Sequence, residues 1–124
     1  MGKQGLERQA GRAVRGARGL DDEASDRRMG GIVSRKGEQT PCNMTHAFQV
    51  EAASAGVEEA GGTPREFSTI TVSDGVGMNH EGMKFSLVSR EIIADSIEAV
   101  VQGHAYDALI GFGGCVKTLP GLLT

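Results

Sequence analysis

Three short apolar runs alternate with two longer stretches of helical periodicity, and this order constrains the chain more than any other feature. Residues 31–34 (Gly-Ile-Val-Ser) read as a short buried strand. Met44, Ala47, Phe48, Ala52, Ala55 and Val57 then form a helix-like stripe over 44–60, stopped by Gly61-Gly62. Thr63-Pro64 restarts the chain in extended form, and 67–72 is a β-rich run ending at Ser73-Asp74-Gly75. Ile93, Ile97, Val100 and Val101 repeat at helical spacing, with Ser89 placed as the cap and Gly103 as the end. Residues 108–112 make the third run. The order β-α-β-α-β predicts an α/β fold: a parallel sheet with right-handed crossovers and helices on both faces, in three layers.

Two segments lie outside that pattern. Residues 1–28 are polar and rich in Gly and Arg, a region set apart from the domain at 29–124. Leu6, Ala10, Ala13, Val14 and Ala17 fall at helical spacing, while Gly11 and Gly16 favour a frayed arm. The stretch GVGMNHEGMKFSLV after Asp74 reads as a loop, and GGCVKTLPGLLT at the end as a loop opening into a helix.

Ligands of such sheets bind beyond the carboxyl ends of the strands. Those ends carry the chemically capable residues. Cys42 follows the first strand within Thr40-Pro41-Cys42-Asn43, a turn in which Asn43 is placed to cap the next helix. Asp74, then His80 and Glu81, follow the second; Cys115 and Lys117 follow the third. Two thiols read either as small buried hydrophobes or as soft-metal or cluster ligands. Asp74 reads as a turn residue or a hard oxygen ligand, and Lys117 as a surface charge, an electrophile or a carbamylated ligand. His80 and Glu81 form a candidate acid/base pair, but HExxH spacing is absent. GVGMNHEG matches neither dinucleotide nor phosphate-loop fingerprints.

Composition limits the alternatives. With 13 basic against 16 acidic residues the formal charge is -3, which leaves no basic footprint for nucleic acid or an anionic membrane. No apolar window is long enough to span a bilayer, and no secretory pattern opens the chain, so a cytoplasmic setting is expected.

TPCN at 40–43, GGTPREFSTITVSDGVGMNHEGMKFSLVSREIIADSIE at 61–98 and GGCVKTLPGLL at 113–123 resemble the amino-terminal region of the dihydroxy-acid and sugar-acid dehydratases. The resemblance implies a hydro-lyase that removes water from a 2,3-dihydroxy carboxylic acid to give a 2-keto acid, in branched-chain amino-acid biosynthesis. Its sugar-acid relatives act on phosphogluconate or aldonates. It also implies an iron–sulfur cluster, [2Fe–2S] or [4Fe–4S], beside a Mg²⁺ ion, and a homodimer. Two of the family's three cluster cysteines match Cys42 and Cys115. Among the Mg²⁺ ligands, the SDG aspartate matches Asp74 and the carbamylated lysine matches Lys117. The family's aspartate between the second cysteine and that lysine does not match: position 116 is Val. The third cysteine and the catalytic serine have no counterpart here. The expectation is an incomplete N-terminal part of a larger dehydratase domain, inactive by itself, with a noncatalytic remnant as the competing reading.

Overall fold

In the computed structural model, residues 8–124 are described. Leu6, part of the helical pattern proposed for the amino-terminal arm, lies outside them; the rest of that pattern forms α1, Gln9–Ala17, despite Gly11 and Gly16. A short helix α2, Asp22–Asp26, follows, with Asp21 capping it by accepting the Ala24 N–H at 2.7 Å.

The sheet is three-stranded and parallel throughout. Strand β1, Met29–Ser34, lies in the centre, paired on one side with β2, Thr63–Ser68, and on the other with β3, Ala108–Gly111. Ile32 is the register mark, opposite Glu66 in β2 and Ile110 in β3. The α/β class, the parallel sheet and the order of elements are those expected.

Boundaries differ in instructive ways. The second strand begins at Thr63, four residues earlier than the β-rich run suggested, and takes in Pro64. β2 is an edge strand, where a residue without an N–H donor is tolerated. The first strand also begins earlier, at Met29, whose N–H donates to the Asp107 carboxylate at 2.7 Å.

Helix α3, His46–Glu59, connects β1 to β2, and α5, Phe85–His104, connects β2 to β3. Because β2 and β3 lie on opposite sides of β1, right-handed crossovers put these helices on opposite faces. On one face Val57 of α3 packs on Gly30, where an added Cβ would meet a Val57 methyl at 3.4 Å. On the other, Val33 packs with Ile93 and Ile97 of α5, flanked by Phe67, Val101 and Leu122. The last helix, α6, Thr118–Leu123, lies on α5.

Two helix expectations are corrected. The stripe proposed for α3 is right only at Val57, which packs on the sheet: Met44 and Phe48 are exposed, while His46 and Val50 are buried. Ser89 is not a cap but an interior residue of α5, buried, its hydroxyl bonded to the Ser86 carbonyl at 2.7 Å. The segment expected to be a loop contains a helical turn α4, Asp74–Gly77, and a 3₁₀ turn, Glu81–Lys84, that runs straight into α5. No helix among the described residues is long and apolar enough to cross a membrane.

Candidate functional site

The three loops leaving the carboxyl edge of the sheet converge. The loop after β1 runs towards α3 on one face, and the loop after β3 runs towards α6, which packs with α5 on the other. Their divergence at two neighbouring parallel strands is a topological switch point, where sheets of this kind form a crevice. Cys42 and Cys115 stand on its two sides.

Cys42 lies in a 3₁₀ turn, Pro41–Asn43. Asn43 does not cap α3; Thr45 holds that place without a side-chain bond. The Asn43 amide instead donates to the Thr71 hydroxyl at 3.0 Å, tying the Cys42 turn to the segment that leads to Asp74. Gly114 brings the opposite loop in. A Cβ there would lie 2.8 Å from the Cys42 carbonyl oxygen and 3.0 Å from the Cys42 Cβ, so only glycine permits this approach. The Cys115 thiol, through hydrogen bonding first and charge second, pushes the Cys42 thiol up from its ordinary pKa, with burial adding to the rise. Cys115 also sits 3.8 Å from the Thr40 hydroxyl. Its backbone is fixed by Thr118, which accepts the Cys115 N–H at 2.9 Å and donates to the Cys115 carbonyl at 2.7 Å.

Asp74 and Lys117 meet as well. Lys117 Nζ lies 3.5 Å from Asp74 Oδ2, with both side chains about one quarter exposed, at 25% and 26%. The Ser86 hydroxyl donates to the other Asp74 oxygen. Cys42, Asp74, Cys115 and Lys117 therefore all lie in the segments leaving one edge, Asp74 in contact with Lys117 and the Cys115 loop packed on Cys42. Two other candidates do not join them. His80 Nδ1 accepts the Gly82 N–H at 2.9 Å, which leaves Nε2–H to donate to the Val76 carbonyl at 2.9 Å, and Glu81 pairs with Lys84. These contacts build the 3₁₀ turn.

Sequence reasoning missed Arg35 and His46. Arg35, the first residue after β1, is 1% exposed, and its NH1 donates to the Phe112 carbonyl at 2.5 Å. The buried guanidinium has its pKa lowered to about 10 by desolvation, opposed by the charge of Cys115 beside it. Arg35 Nε and NH2 have no hydrogen-bond partner. His46 opens α3 and accepts the Arg35 N–H at 3.3 Å on Nδ1. Burial first, and the Arg35 charge second, lower its pKa. The basic pair Arg35-Lys36 immediately after an apolar strand does not by itself show that Arg35 is buried.

A cluster of iron and sulfide fits the first pair of residues. The two cysteine loops approach closely at Gly114, and Arg35, which feels the Cys115 charge, holds buried N–H donors without a partner, which suits a group rich in anionic sulfur. Magnesium fits less well. Asp74 and Ser86 offer two oxygens, Val116 offers none and is 72% exposed, and no group of three His, Cys, Asp or Glu side chains converges among the described residues. The described residues do not complete a site for it.

Comparison with known proteins settles the lineage. Residues 27–124 match the family described as dihydroxy-acid/6-phosphogluconate dehydratase, N-terminal. The chain belongs to this family. It is 73% identical over 119 residues to dihydroxy-acid dehydratase 3 of Bradyrhizobium diazoefficiens, covering 96% of this chain and 20% of that protein. Dihydroxy-acid dehydratase 2 of Bordetella bronchiseptica is 55% identical over 123 residues, 99% of this chain and 22% of its own length. Dihydroxy-acid dehydratase of Pelagibacter ubique is 57% identical over 93 residues, 75% and 16% of the two chains. The chain thus spans about a fifth of the length of the first two relatives.

Proposed function

We propose that these residues form the cluster-binding edge of a dihydroxy-acid dehydratase, a hydro-lyase that converts a 2,3-dihydroxy carboxylic acid to a 2-keto acid. The observation that carries this is the close approach of the Cys115 loop to Cys42 at Gly114, with the Asp74–Lys117 pair on the same edge. In this reading Cys42 and Cys115 are thiolate ligands of an iron–sulfur cluster. When bound, such a cluster supplies a Lewis acid for a leaving hydroxyl.

The chain's own residues orient that chemistry. Gly114 allows the two thiols to approach. Thr118 holds the Cys115 backbone, and Asn43 fixes the distance between the cysteine turn and the Asp74 loop. Lys117 and Asp74 place a cation and an anion beside the crevice, where a substrate carboxylate and hydroxyl would need opposite partners. Were Lys117 carbamylated instead, it would be an anion, and with Asp74 it would be the share these residues give to a Mg²⁺ site, with the remaining ligands from elsewhere. The proposed setting is the cytoplasm and the proposed assembly a homodimer.

By themselves the 124 residues are proposed to be inactive, since they offer two cluster thiols and an exposed valine at 116. Val116 also favours a second reading, a noncatalytic member of the family. The test is to load a polypeptide carrying these residues with iron and sulfide under anaerobic conditions. It is then assayed with 2,3-dihydroxy-3-methylbutanoate and, separately, with 6-phosphogluconate. Keto-acid formation from the first substrate alone supports the proposal, and turnover of the second alone moves the chain to the sugar-acid branch. A loaded cluster with turnover of neither establishes the noncatalytic reading.

A further inference from the structure

The Arg35 guanidinium is the least explained group in the molecule. It is 1% exposed, yet only NH1 has a partner, the Phe112 carbonyl at 2.5 Å. Nε and NH2 are buried donors with none. Among the described residues no carboxylate pairs with it, and the one anion-forming group acting on it is the Cys115 thiol. The other titratable neighbour, His46, is another basic group that it repels. An unpaired buried cation with idle donors is strongly unfavourable, and folds that retain one normally set an anion against it.

The position narrows which anion. Arg35 leaves β1 at the strand's carboxyl end, and the carbonyl it binds is three residues before Cys115. Arg35 is thus anchored to the segment that leads into Cys115 and feels the charge of that thiol, and a guanidinium fork suits several acceptors at once. A cluster held by thiolates is such a partner: its sulfurs accept hydrogen bonds and its net charge is negative.

We propose that Arg35 is a positioning residue for the iron–sulfur cluster, donating Nε–H and NH2 hydrogen bonds to cluster or thiolate sulfur and supplying the counter-charge that holds the cluster in this crevice. This rests on the cluster assignment made above. Hydrogen bonds to cluster sulfur and a nearby positive charge stabilise the reduced form, so Arg35 raises the reduction potential. The same contacts slow the loss of iron.

The test compares wild type, Arg35→Gln and Arg35→Lys in a polypeptide carrying these residues, loaded anaerobically with iron and sulfide. Two readouts are taken, the rate at which a chelator strips iron and the midpoint potential in a spectroelectrochemical titration. The expected result is iron loss at least tenfold faster in Arg35→Gln, with a lower potential. Arg35→Lys, which keeps the charge but loses the fork, falls between. If Arg35→Gln does not fold, Arg35→Lys decides: a potential and a loss rate both equal to wild type overturn the proposal. Equal values in a loaded Arg35→Gln overturn it too. Failure of the wild type to retain iron and sulfide overturns the cluster assignment itself, an outcome distinct from indifference of the cluster to Arg35.

Discussion

Single side chains at the carboxyl edge control whether the loops can meet. Gly114→Ala places a Cβ 2.8 Å from a backbone oxygen, with no flexible side chain to yield. The expected cost is about 1–3 kcal/mol, the usual range for an over-packed site. It should appear as a lower urea midpoint with unchanged slope and a lower iron content after loading. His46 makes a second prediction. Its folded pKa is depressed by burial and by Arg35, so the unfolded chain binds its proton more readily than the folded one. The stabilisation this gives is present above the unfolded value of about 6.5 and is lost as pH falls from there through the lower folded value. Urea midpoints measured between pH 8 and 5 should fall on the acid side, and His46→Gln should flatten that fall. Of the residues in the site, Cys42, Asp74, Cys115 and Lys117 were legible because each is a reactive type placed after a strand. Arg35 and His46 were not. Their importance comes from burial, and nothing in the local sequence distinguishes a buried arginine from one that caps an edge in water.

At the scale of elements, the alternation of strands and helices was legible, and the orientation of helices partly so. α5 carries Ile93 and Ile97 inward, as the spacing indicated, because its apolar residues recur at every turn. α3 is different. Alanines spread around its circumference leave its apolar face ambiguous, and the fold buries the side bearing His46, Val50 and Val57. That choice depends on Gly30 accepting Val57, a contact between elements that no local pattern encodes. The end of α5 supports a stability prediction. Ala105, its C-cap, is left-handed at φ 54°, ψ 52°, a conformation that favours glycine. Ala105→Gly should stabilise the fold by about 0.5–1 kcal/mol, the steric relief exceeding the added unfolded-state entropy. A thermal scan showing no rise in midpoint would mean that the αL cap carries no strain.

For the molecule as a whole, the balance of apolar surface decides behaviour in solution. Among the described residues, six hydrophobic side chains are buried and sixteen large ones are exposed. The core cluster proper is three buried residues, Val33, Ile93 and Ile97. Seven of the sixteen lie between Val76 and Ile92, and at the sheet edge all four residues of β3 are open, Leu109 and Ile110 among them, with Leu119 and Leu123 of α6 also exposed. Apolar surface contributes roughly 25 cal/mol per Å² when buried, so an open patch of this kind favours association over a dispersed monomer. An edge strand with unpaired backbone groups adds a template for pairing. The 124-residue chain alone should therefore bind a hydrophobic dye, melt at a midpoint that depends on protein concentration and sediment as a concentration-dependent mixture. Ile110→Lys places a charge on that edge and should shift sedimentation towards monomer while the helical signal in circular dichroism is retained. A sharp, concentration-independent melt of the unmodified chain would show instead that the small core is sufficient and that the β3 edge is inert. In that case the carboxyl-edge loops would be held by the sheet alone, and the cysteine pair would form without any other surface packed against it.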